Sequence, residues 1–303
     1  MPKPIQSLSL TAFFTLLLIA FMMGSNHVAA RLAFNSGLDV ATAVVVRSFV
    51  SASVIMLIIW RGRLPWRMTT KQWRGLFVVG LLIGVQSQML YGAVSRLPVA
   101  LALIAFNTYP LWTSLWDRVF YGKIPVRAML RVMPIIFIGL FLALDVWGAL
   151  SGLNARTGSE QLGLGVTLGI TAAAVFGLSL VIVQHETAGV DGRVRTAGTM
   201  WLAGLVALSV VGIQGGPHWP HSSLGWYALA TLTFLYGTAF TIMFTVLPKL
   251  GVGNNAAIMN AEPVFALIMA WLILGQSIEP SQIAGALLVV GSVMWLGLRK
   301  YSA

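Results

Sequence analysis

Hydrophobic residues in this chain come in runs of about 20, the length that crosses a bilayer as a helix. Ten runs are legible, at approximately 9–33, 40–60, 73–95, 98–119, 128–150, 161–184, 196–213, 224–247, 252–275 and 281–298. The pieces between them are short, and none is long enough to be a separate domain. The stretch 215–223, with Pro217, His218, Pro220 and His221, reads as an ordinary turn-rich loop. The fourth run is interrupted at Asn107-Thr108-Tyr109-Pro110, and the ninth at Asn260, Glu262 and Pro263. A proline in an apolar run frees a carbonyl and bends a helix, so Pro110 and Pro263 are expected hinges.

The two interruptions are 153 residues apart, and the same shift aligns Trp73–Ile124 with Trp226–Ser277 without a gap. Identical pairs include Trp73/Trp226, Gly84/Gly237, Asn107/Asn260, Pro110/Pro263 and Gly122/Gly275, and the shift also lays Gly24 on Gly177. Five spans per copy is an odd number, so the copies enter the membrane from opposite sides. The expected fold is an all-α polytopic membrane protein of ten transmembrane helices in a 5+5 inverted-topology repeat, residues 1–150 and 151–303. Inverted repeats place a site near the midplane, between the halves, and let it face either side in turn.

Composition agrees with this. The chain is 58% hydrophobic and 9% charged, too few charges to cover a soluble surface. Its net charge of +11 is therefore read as orientation, not as nucleic-acid binding. With both termini in the cytoplasm, 15 Lys and Arg fall inside and 3 outside, with Arg47 within a span. Lys3 and the apolar run after it have the outline of a signal peptide, but the matching segment of the second copy is internal. Cysteine is absent, which removes disulfides, thiol nucleophiles and Cys-type metal sites.

Small residues recur at four-residue spacing in three runs: Gly80, Gly84 and Gly92; Gly165, Gly169 and Gly177; and Gly237 beside Thr233 and Thr241. Such stripes let helix backbones approach closely.

Gly24-Ser25-Asn26, Arg47 in VVVRSF, NTYPLWTSL and above all AEPVFALIMAWLILG resemble the drug/metabolite transporter superfamily, in its ten-helix branch of two EamA-type repeats. The resemblance covers essentially the whole chain. It implies a secondary transporter of a bacterial inner membrane, and the aromatic-rich fourth span is most similar to exporters of amino acids, aromatic ones included. One departure stands out: where the family has Gly-Glu, this chain has Gly122-Lys123 and Gly275-Gln276.

Polar residues inside the spans are the candidate cavity: Asn26, Arg47, Gln88, Tyr91, Asn107, Tyr109, Trp112, Thr241, Asn260 and Glu262. Arg47 either snorkels or holds a substrate carboxylate. Glu262 either pairs with a cation, Arg47 among them, or takes a substrate ammonium or a proton. Asn107 and Asn260 would help with the ammonium. Tyr91, Tyr109 and Trp112 would wall the side chain. His27 reads as a packing residue before a relay. No zinc motif, nucleophile elbow or carboxylate cluster points to an enzyme, and no filter sequence to a channel. The expectation is export of amino acids or related small metabolites by alternating access. The alternative is an exporter of hydrophobic or cationic drugs. No cofactor and no metal is expected; the partners are the substrate and the bilayer, with the chain acting as a monomer.

Overall fold

A computed structural model describes residues 10–122, 134–135, 138–139, 141–142, 159–245, 262–276 and 279–299. They form α1 (Leu10–Asn35), α2 (Val40–Arg61), α3 (Thr70–Val94), α4 (Val99–Phe106), α5 (Tyr109–Tyr121), α6 (Ser159–Glu186), α7 (Gly192–Ile213), α8 (Ser223–Thr245), α9 (Glu262–Leu274) and α10 (Pro280–Arg299). With α4 and α5 taken together, seven helical stretches among the described residues are long and apolar enough to cross a membrane, and α9 and α10 contribute shorter apolar helices. Most of the expected fifth span and the first part of the ninth fall outside the described residues. Large side chains such as Leu57, Phe77, Leu205, Phe234, Trp271 and Leu287 are exposed, as they are when the surrounding solvent is lipid.

Helix ends carry the expected chemistry. Thr69 and Gln72 form a capping box on α3, and Asp39 and Asp191 cap α2 and α7. The α5 terminus is closed by Gly122 at φ +67°, and its repeat partner Gly275 has φ +62° after α9. The stretch 215–223 is more than a turn-rich loop. The His218 N–H donates to the Asp39 carboxylate at 2.9 Å and the His221 N–H to the Ser36 carbonyl at 2.8 Å, fastening the loop over the α1–α2 turn.

Packing runs across the halves. α1 lies on α8 and α9, α2 on α7 and α8, α3 on α6 and α7, and α6 also on α4 and α5. A shift of 153 residues carries the α1/α8 pair onto α6/α3, and α2/α8 onto α7/α3. It carries α1/α9 onto α6/α5. The correspondence reaches individual atoms. A Cβ on Gly24 would stand 2.7 Å from the Glu262 carbonyl oxygen and 2.9 Å from the Ala266 nitrogen. One on Gly177 would stand 2.7 Å from the Thr113 nitrogen and 2.9 Å from the Trp112 Cβ. Ala266 and Phe265 are the repeat partners of Thr113 and Trp112, so one helix crossing is built twice. The other stripe glycines also sit at close approaches: Gly80 to Leu202, Gly84 to Val206, Gly92 to Leu168, Gly165 to Leu97, Gly169 to Ala105 and Gly237 to Ser51.

At Gly24 and Gly177 the neighbour is backbone and cannot swing aside. Gly24→Val and Gly177→Val are therefore expected to destabilise the fold by about 1–3 kcal/mol each through overpacking. Gly163→Ala, with nothing within 4 Å of the added carbon, is expected to be neutral or slightly stabilising. Thermal unfolding midpoints in detergent would check the contrast.

Candidate functional site

The Arg47 side chain sits seven residues into α2, about 10 Å along its axis. It does not snorkel out: the residue is only 4% exposed. Its guanidinium carbon lies 4.2 Å from the Tyr91 ring centre on α3 and 4.1 Å from the Tyr236 ring centre on α8. A flat cation between two aromatic faces is held by both ring quadrupoles. Among the described residues Arg47 meets no carboxylate, and its Nε has no hydrogen-bond acceptor.

The rings are fixed in turn. The Tyr91 hydroxyl donates to the Asn26 Oδ1 at 3.2 Å, and Tyr91 packs edge-on against Phe34 and His27. Tyr236 stacks on Phe240 and points its hydroxyl at the Met200 sulfur, 3.5 Å away. Around this sandwich lie further buried polar atoms without a partner among the described residues: Asn26 Nδ2, Gln88 Nε2, Ser51 Oγ and Thr233 Oγ1. Buried donors are seldom left unpaired. Unpartnered atoms also occur at Ser25, Arg31 and Arg96; those on the helices that carry Arg47, Tyr91 and Tyr236 leave donors open to an anion.

Glu262, the first residue of α9, is paired with His27, not with Arg47. The His27 Nε2 to Glu262 Oε1 distance is 3.2 Å, with side-chain exposures of 3% and 20%. Gly24 and His27 are three residues apart on one face of α1, so the close crossing at Gly24 brings Glu262 within reach.

An aromatic group lies next to these residues. Tyr109 meets Phe176 at 5.2 Å and Phe106 at 5.8 Å, Trp112 stacks along Trp116, and the Trp116 Nε1 donates to the Ala174 carbonyl at 2.9 Å. Tyr109 also lies within electrostatic reach of Glu262. Trp116 is thus tied to α6.

Two candidates behave differently from a free ligand group. The Asn107 amide donates to the Leu103 carbonyl at 2.8 Å, and the Thr108 hydroxyl to the Ala105 carbonyl at 2.8 Å, each beside the same residue's backbone N–H, at the break between α4 and α5. The Thr241 hydroxyl donates to the Gly237 carbonyl at 2.7 Å. Pro110 is the second residue of α5, where a missing N–H costs little; Pro263 lies in α9 directly after Glu262, and the residues before Glu262 lie outside the described ones. The break in the fourth span lies just before Pro110 rather than as a kink through it. Asn260 lies outside the described residues. Gln276, which stands where the resemblance has Glu, accepts from the Val99 N–H at 3.3 Å and so helps close the start of α4.

Tyr236 is a site residue that inspection of the chain missed. Its repeat partner is Ile83, so the repeat does not flag it. Its spacing from Thr233 and Phe240 on α8 was the available signal.

Comparison with known proteins identifies the family. The profile of the EamA-like transporter family matches residues 10–144 and again residues 163–298. The chain belongs to the EamA-like transporter family. It is a multi-pass membrane transporter. It is 28% identical over 232 residues to the uncharacterized transporter sll1319 of Synechocystis sp., an alignment covering 74% of this chain and 66% of that protein. It is 23% identical over 246 residues to the threonine/homoserine exporter RhtA of Escherichia coli, covering 78% of this chain and 77% of RhtA. A solved crystal structure superposes on 98% of this EamA-like chain with a TM-score of 0.63 at 16% identity, and shares the fold.

If the Arg47 sandwich is assembled as described, Tyr91→Phe removes the bond to Asn26 and is expected to cost about 1 kcal/mol. Tyr236→Phe keeps the ring and loses only a long contact to sulfur, so little change is expected. Tyr91→Leu and Tyr236→Leu each remove a face of the sandwich and are expected to cost about 2 kcal/mol beyond lost packing. Unfolding midpoints of the four variants check the order.

Proposed function

We propose that this chain exports amino acids or related small metabolites by alternating access around a central midplane cavity, in a bacterial inner membrane. The observation that carries the reading is the buried Arg47 guanidinium, clamped by Tyr91 and Tyr236, with unpaired donors from Asn26 and Gln88 beside it and no carboxylate among the described residues. A carboxylate-bearing substrate supplies the missing anion, and a buried cation without one is expensive. Glu262 stands ready for an ammonium group, and Tyr109 and Trp112 offer an aromatic wall for the side chain. The name of RhtA, an exporter of threonine and homoserine, points to the same class. An unneutralised buried Arg speaks against a cationic drug as cargo.

Ten spans in a 5+5 inverted repeat with both termini inside suit this mechanism. The charge count, the two matches to one family profile and the doubled helix crossing support that arrangement. The stripes of close-packed glycine are the surfaces on which the halves would rock, and Pro110 and Pro263 mark where the fourth and ninth spans would flex.

The chain lacks cysteine, so single thiols report topology without background. A thiol placed at Arg63 is expected to react with a membrane-impermeant reagent only from the cytoplasmic side, and one at Gln214 only from the outside. The reverse pattern at either position would remove the proposed orientation.

Transport itself is tested in proteoliposomes with a panel of labelled amino acids, threonine and homoserine first. Exchange of at least one amino acid is expected, and Arg47→Gln is expected to lower it by a factor of about ten or more, as loss of a charged anchor does. Movement of a lipophilic cation with no amino acid moving would sink the reading.

A further inference from the structure

We propose that His27 and Glu262 form a proton-exchange site, in which His27 is the resident cation that a substrate ammonium displaces. The proposal rests on the amino-acid reading above and extends it to the coupling of transport.

A carboxylate within the membrane needs a cation. The groups that could face Glu262 can be named from each helix packed against it or against His27. α1 carries Arg31, whose Nη1 donates to the Val94 carbonyl at 2.8 Å near the end of α3. α2 carries Arg47, held between two rings. α3 contributes Tyr91, α5 Tyr109 and α8 Tyr236, all phenols. The described part of α9 has no other charged residue, α4 has none, and α10 has only Arg299 at its far end. Among the described residues, therefore, the cation at hand for Glu262 is His27, at 3.2 Å. His27 is also the one cation-forming side chain in the group that readily gives up its proton, whereas arginine stays charged. No polar partner among the described residues holds its other ring nitrogen, Nδ1. The contact to Glu262 is the ring's polar tie, and it exists because Gly24, one turn earlier, admits the first turn of α9 against the α1 backbone.

The exchange balances as follows. In the empty carrier the proton rides on His27, and the imidazolium neutralises the Glu262 carboxylate. An amino acid arriving from the cytoplasm sets its carboxylate at Arg47 and its ammonium at Glu262. The ammonium replaces the imidazolium as the counter-ion, one N–H bond of the imidazolium breaks, and its proton passes to water on the inner side. On the outer side the amino acid leaves, and the imidazole takes a proton from external water, reforming the pair. One zwitterion moves out and one proton moves in. The sequence repeat supplies no second copy of this pair: the positions aligned with His27 and Glu262 are Leu180 and Tyr109. One proton per substrate is the stoichiometry a single site allows.

The test uses the full chain in proteoliposomes, with labelled threonine or whichever amino acid of the panel exchanges, and a pH-reporting dye inside. In the unaltered protein, net efflux is expected to draw protons the other way at a ratio near one, and a pH gradient is expected to drive accumulation. His27→Gln is expected to lower gradient-driven accumulation by about tenfold or more and to flatten the pH profile of exchange, while exchange itself falls less. A merely structural His27 would lower both in step and leave the pH profile in place. Glu262→Gln is expected to lose exchange and proton movement together. Net efflux by the unaltered protein without any proton movement would falsify the coupling proposal alone, and needs no variant to fold. Retained gradient-driven accumulation in His27→Gln overturns it too. If no amino acid exchanges at all, the amino-acid reading falls and this inference with it.

Discussion

Lipid offers no hydrogen bonds, and that one constraint shapes what every polar atom of this chain does. The backbone answers it by staying helical across each described span. Where helix is interrupted between α4 and α5, the backbone N–H groups of Asn107 and Thr108 still reach the Leu103 and Ala105 carbonyls, and the Asn107 amide and Thr108 hydroxyl add second donors to them. The hydroxyls of Thr113, Thr167, Thr171 and Thr241 are likewise turned back onto their own helices. Against this background of local satisfaction, the polar atoms left without partners around Arg47 are conspicuous. They belong to α1, α2, α3 and α8, and converge because those helices pack on one another. A site for an external acceptor is the physical account that fits them best.

The same constraint explains how symmetry and chemistry divide the labour. The close crossing of α1 on α9 is repeated by α6 on α5, with Gly24 and Gly177 as the two points of contact. Backbone against backbone needs only the absence of a side chain, so it survives divergence of the surrounding residues. What the crossing carries differs. In one copy it brings a His and a Glu together; at the aligned positions of the other stand Leu180 and Tyr109. The repeated part is suited to motion, and the unrepeated part to recognition.

Much of this was legible from residue order, and the limits have physical reasons. Run length is a local signal, and it located the seven described stretches that are long and apolar enough to cross a membrane. The Asn107–Pro110 interruption was visible, but its construction was not. Proline suggested a bend through the helix, whereas Pro110 sits in the first turn of α5, where its missing N–H matters little, and the Asn107 amide doubles the bond to the Leu103 carbonyl. The glycine stripes pointed correctly to close approaches without naming the partners. Long-range pairings were beyond reach. Glu262 could be matched on paper with Arg47, since opposite charges in a membrane invite it. Only the close approach at Gly24 and the 3.2 Å contact show that His27 gets there first. Tyr236 was invisible because a tyrosine in an apolar span is unremarked until a guanidinium is found on its face.

Separating the two charges has a consequence for how the site can work. Had Arg47 and Glu262 paired directly, substrate would have had to break an ion pair in a medium of low dielectric, at high cost. Instead Arg47 is held by two aromatic faces, which stabilise a cation without neutralising it, and Glu262 is held by a base that can give its charge away. On the proposed reading, each end of a zwitterion would meet a partner that is occupied weakly or conditionally. The site would then be kept assembled in the absence of substrate by interactions that substrate can outcompete. That is the property a carrier needs at its midpoint: a site stable enough to survive empty, yet not so well satisfied that nothing can bind.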